Sequence, residues 1–129
     1  MNIDHIGYAV KDIDKSKRLF EFLGFIFEEL IEDNDRNIYL QFGKRDGYKI
    51  ELVAPMKGES PVDGYLNTVG VTPYHICYCS ENLQEDIKKL EKENYKVLIP
   101  KKRAKAFGGR HVVFLIHRNM GLIEIVEAK

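Results

Sequence analysis

The sequence predicts an α+β protein built from two tandem βαβββ modules, and three observations predict it. The chain repeats itself, each repeat reads strand, helix and three strands, and the segment between the repeats is rich in turn residues. Laid over residues 75–95, residues 5–25 match at a constant shift of 70, with His5 on His75, Ile6 on Ile76, Tyr8 on Tyr78 and Glu21 on Glu91. Further on, "KIELV" (49–53) matches "LIEIV" (122–126) at a shift of 73, which leaves three residues for a longer loop in the second half.

The elements follow in order. Alternating runs open the halves at Ile3–Val10 and Tyr74–Cys79. Asp12 and Asn82 are the expected N-caps of the helices that follow, and Glu85 stands three residues after Asn82 in capping-box spacing. Ile13, Phe20 and Leu23 form one helical apolar stripe, and Leu83, Ile87 and Leu90 form the other. Gly24 and Asn94 fall on each other, and both residue types tolerate the left-handed conformation that ends a helix. Three strands complete the first half at Phe25–Ile31, Ile38–Phe42 and Tyr48–Val53. The second half has Tyr95–Ile99, His111–Ile116 and Leu122–Val126. Residues 1–54 are therefore the first module and 73–129 the second. Residues 55–72, with two Pro, three Gly and a short helix, are the linker within one compact domain.

Bulk properties narrow the function classes. Lys plus Arg equals Asp plus Glu at 20 each in 129 residues, so no global field attracts nucleic acid or an anionic membrane. No apolar run approaches the roughly 20 residues that span a bilayer, and the charged start does not read as a signal peptide. Cys77 and Cys79 would lie on one strand face about 6.5–7 Å apart, too far for a good disulfide, so they read as reduced thiols of a cytoplasmic protein.

Glu51 and Glu124 both stand inside aliphatic strands, where an ionised carboxylate is expensive unless a positive charge meets it. With His5 on one strand face go Ile3, Gly7 and Ala9, and with His75 go Cys77 and Cys79, so both histidines have mostly small neighbours. Packing of the modules about a pseudo-two-fold axis is expected to bring His5, Glu51, His75 and Glu124 together. One divalent cation would then serve two imidazoles and two carboxylates. Such a donor set suits Ni, Co or Mn and leaves two positions of an octahedron for water or substrate.

The stretches "DHIGYAVKDIDKSKRLFEFLGF", "IELVAP", "YHICY" and "GLIEIVE" resemble the vicinal oxygen chelate superfamily over essentially the whole chain. The resemblance implies a half-open, eight-stranded cup and a metal held by His5, Glu51, His75 and Glu124. Nickel or cobalt would be preferred, with zinc or manganese as alternatives. It implies Glu124 as catalytic base, with Glu51 as the near-symmetric partner acid, acting through a metal-bound enediolate.

Two members compete. Glu51, rather than the Gln frequent in bacterial epimerases, and Tyr74 lean toward glyoxalase I (lactoylglutathione lyase), which acts on a glutathione–methylglyoxal hemithioacetal. Against it, Ala9 stands where glyoxalase I usually has an Arg and Pro55 where it usually has an Asn, and the loop "AFGGR" (106–110) resembles the glycine loop of methylmalonyl-CoA epimerase. The reading adopted from sequence is glyoxalase I, with the epimerase as its alternative and an extradiol dioxygenase or drug-sequestering relative behind it. Lys101, Lys102, Arg103, Lys105 and Arg110 are the expected holders of glutathione carboxylates or CoA phosphates. A homodimer is the expected assembly. His111 and His117 fall outside the repeated ligand positions and read as surface or strand-end residues.

Overall fold

The computed structural model describes residues 1–129, which divide into two compact units, His5–Tyr74 and Met1–Asp4 with His75–Lys129. The order is β1 (Asn2–Ala9), α1 (Ile13–Phe22), β2 (Ile26–Phe27), β3 (Ile31–Asp33), β4 (Ile38–Arg45) and β5 (Tyr48–Pro55). It continues with α2 (Asp63–Thr68), β6 (Thr72–Ser80), α3 (Leu83–Lys92), β7 (Lys96–Arg103), a 3-10 turn (Lys105–Phe107), β8 (His111–His117) and β9 (Gly121–Glu127). The class is α+β, and α2 falls inside the 55–72 segment.

In the first unit the strand order is β2-β4-β5-β1, with β3 also on β4. Strand β1 runs parallel to β5, pairing Ile6 with Ile50 and Gly7 with Glu51, and β4 runs antiparallel to β5. The second unit repeats the plan as β6-β9-β8-β7. There β6 is parallel to β9, pairing His75 with Leu122 and Cys77 with Glu124.

Both main helices start and stop as their sequences dictate. Asp12 Oδ1 accepts from Lys15 N and Asn82 Oδ1 accepts from Glu85 N, each at 3.1 Å, which satisfies an otherwise orphaned N–H of the first turn. Gly24 (φ 95°) and Asn94 (φ 69°) then turn left-handed. Gly24 N donates to Glu21 O and Phe25 N to Phe20 O; Asn94 N donates to Glu91 O and Tyr95 N to Leu90 O. This is a Schellman closure in both halves. Each helix covers its own core: Val10, Ile13, Ile50, Leu52 and Ala54 in the first unit, and Leu83, Val113, Leu115, Ile123 and Ile125 in the second.

The strand count is nine, because the stretch Phe25–Ile31 does not form one strand. Phe27 pairs with Gly43 and Ile31 with Leu40, so four steps on one side meet three on the other. The extra residue is a bulge. Its backbone is satisfied by Gln41, whose Nε2 donates to Glu28 O at 2.7 Å, while Glu28 N reaches Phe42 O at 2.8 Å. In the second unit β7 runs on to Arg103 with register shifts on both sides of Ile99, and Pro100 is tolerated on this edge strand.

Candidate metal-binding pairs

The first unit brings His5 and Glu51 together. His5 stands on β1 and Glu51 on the neighbouring β5, where Glu51 pairs with Gly7. His5 Nε2 lies 3.3 Å from Glu51 Oε1, and the two residues are 1% and 6% exposed. On β4 opposite Glu51, Phe42 sets its ring edge-to-face with the imidazole, centroids 5.4 Å apart at 73°.

The second unit builds the same object. His75 Nε2 lies 3.1 Å from Glu124 Oε1, and both residues are 4% exposed. Phe114 pairs with Glu124 across β8 and β9, and its ring meets His75 at 5.6 Å and 82°. The sequence reading missed both phenylalanines. Their signal was available: Phe42 precedes Glu51 by about the spacing that separates Phe114 from Glu124, and both lie on strands next to the glutamate's own.

The donor chemistry fits a divalent ion. Two ligands each about 2.1 Å from one ion, at right angles to tetrahedral spread, lie roughly 3.0–3.4 Å apart. Both His–Glu separations fall in that interval, and the buried carboxylates gain the compensating charge they need. Each unit thus carries a buried His–Glu pair able to hold a metal.

The basic stretch of the second unit is more constrained than its sequence suggests. Arg103 Nη1 donates to Gly109 O at 2.9 Å. Arg110 Nε donates to Phe107 O at 3.2 Å and its Nη1 to Glu127 O at 2.9 Å. Arg110 also lies over the Phe107 ring, 5.4 Å from its centroid. Both arginines therefore brace the glycine loop. Lys101, Lys102 and Lys105 are exposed along it.

His111 and His117 mark the two ends of β8. Glu127 Oε1 accepts from His111 N at 3.0 Å and lies 3.1 Å from His111 Nδ1. Those bonds, the backbone one first, hold the Glu127 carboxyl below its usual range against an opposing effect of desolvation. His117 Nδ1 accepts from Asn119 N, and its ring meets Tyr95 at 4.9 Å. Neither cysteine is in a disulfide, and Cys77 is fully buried. No helix is long and apolar enough to cross a membrane.

Comparison with known proteins corrects one expectation. The chain is 29% identical over 132 residues to the uncharacterized protein YqjC of Bacillus subtilis (strain 168), spanning 98% of this chain and 92% of that protein. It is 26% identical over 131 residues to the mitochondrial methylmalonyl-CoA epimerase of Mus musculus, spanning 98% of this chain and 72% of the relative. A solved methylmalonyl-CoA epimerase in complex with methylmalonyl-CoA and NH4+ shares the fold with a TM-score of 0.84 at 22% identity, covering 98% and 94% of the two chains. Glyoxalase I, with its glutathione adduct and lyase chemistry, is therefore set aside, because the named enzymes among these relatives are epimerases. The physical reason is that a donor set of two His and two Glu says nothing of which thiol would carry a substrate's acyl group. A sequence model of the Glyoxalase/Bleomycin resistance protein/Dioxygenase superfamily matches residues 4–114, and the chain belongs to that superfamily.

Proposed function

We propose that this protein is a metal-dependent epimerase of a CoA thioester, with methylmalonyl-CoA as its substrate. The observation that carries the reading is the buried His–Glu pair, built twice at equivalent strand positions of a duplicated unit. The epimerases among the relatives, matched over nearly the whole chain, supply the substrate class.

In this reading His5, Glu51, His75 and Glu124 hold one divalent cation. When bound, that cation supplies Lewis-acid polarisation of the thioester carbonyl. The chain's own residues move the protons. Glu124, whose Oε1 faces His75, takes the proton from the carbon between thioester and carboxylate onto Oε2. Glu51, protonated at the start of the turnover, returns a proton from Oε2 to the opposite face. The configuration inverts and the two glutamates exchange protonation states. Burial of both carboxylates keeps bulk water from intercepting the carbanion. Lys101 and Lys102 at the end of β7, with Lys105 in the turn braced by Arg103 and Arg110, hold the CoA phosphates.

The test is a single stereoisomer of methylmalonyl-CoA in D2O with protein stripped by chelator and then restored with Ni, Co, Mn or Zn. Inversion with deuterium at the α carbon is expected for restored protein, and its loss for stripped protein. Absence of deuterium with every metal would sink the reading, and deuterium without inversion would remove Glu51 from the second proton transfer.

A further inference from the structure

The two units agree at the His–Glu–Phe cluster and part company one residue pair further out. In the first unit, Lys44 on β4 faces Lys49 on β5 directly, next to the Phe42–Glu51 pair and on the same strand face. The equivalent pair in the second unit is Ile116 with Leu122, next to Phe114 and Glu124. Lys49 Nζ stands over the Phe42 ring, 4.3 Å from its centroid, and that ring abuts His5. The second unit shows that the architecture accepts two apolar residues at these positions, so the fold itself does not require the cations.

We infer that Lys44 and Lys49 recognise an anionic oxygen group of the substrate at the edge of the His5–Glu51 pair, as specificity residues. Two lysines paired across neighbouring strands on one face offer cations for a carboxylate or a phosphate oxygen pair. The inference rests on the proposed CoA-thioester reading for its ligand: the group is the free carboxylate of the acyl chain or a phosphate of the CoA carrier.

The experiment titrates malonyl-CoA, acetyl-CoA and CoA into the wild-type protein, Lys49→Leu, Lys44→Ile and the double variant, by calorimetry at two salt concentrations. Loss of affinity of tenfold or more for malonyl-CoA alone, with acetyl-CoA and CoA unchanged, identifies the acyl carboxylate. An equal loss for all three identifies a phosphate. Unchanged affinity for all three in the double variant overturns the inference while leaving the proposed function intact. Should the wild-type protein bind none of the three, the proposed function fails, and malonate and inorganic pyrophosphate become the probes. Anion binding lost in the double variant then upholds the lysine pair, and equal binding overturns it.

Discussion

The first and second halves of this chain hold the same chemistry in different frames. Each sets a histidine on its opening strand, a glutamate on the parallel neighbour and a phenylalanine across from that glutamate. Around that shared centre they diverge. The first half breaks its second strand at a bulge satisfied by Gln41. The second keeps one long edge strand with two register shifts, then a glycine loop braced by arginines. The two halves thus agree at the His–Glu–Phe centre and differ at the edges, where backbone groups reach water or a nearby side chain at little cost.

That comparison can be broken most sharply at the glutamates. Glu124→Gln is expected to reduce turnover by roughly 10²–10⁴-fold while substrate affinity stays within a few-fold, because the amide keeps the shape and cannot take the proton. Glu51→Gln should also reduce inversion. Starting from the stereoisomer whose proton Glu124 removes, it should still allow some exchange of the α hydrogen into D2O. Equal loss of both signals in the two variants would make the halves chemically indistinguishable and erase the assignment of Glu124 as base.

A second comparison concerns the cores. Leu52 and Ile125 occupy equivalent positions and both are fully buried. Truncation to Ala at either is expected to cost about 2–5 kcal/mol of stability, measured by urea unfolding. A loss at one position only would show that a single unit dominates the folding equilibrium.

The smallest effect belongs to the second half alone. Glu127 is held below the usual carboxylate range first by the backbone N–H of His111. A group depressed in the folded state stabilises the fold above its unfolded pKa and loses that contribution as pH falls through its folded value. The stability of Glu127→Gln should therefore depend less on pH on the acid side of the ordinary carboxylate pKa than that of wild type. Parallel acid-side curves for the two proteins would deny the latch any role.

Much of this molecule was legible in its sequence, and for a local reason. Strand alternation, helix caps and the left-handed Gly24 and Asn94 are short-range properties, so a repeat of residue types at constant spacing implies a repeat of structure. The His5–Glu51 and His75–Glu124 pairs were legible this way, since each residue stands on a strand whose neighbours betray which face it presents. Tertiary structure decided what depends on cross-strand register. It split Phe25–Ile31, because the extra residue is visible only against β4. It turned Arg103 and Arg110 toward backbone carbonyls of the loop and of β9 that no linear motif marks as acceptors. And it placed Lys44 against Lys49, two unremarkable surface cations in the sequence, on the same face as the His5–Glu51 pair. Pairing between distant segments sets those contacts, and a chain read in order carries that information only where it repeats itself.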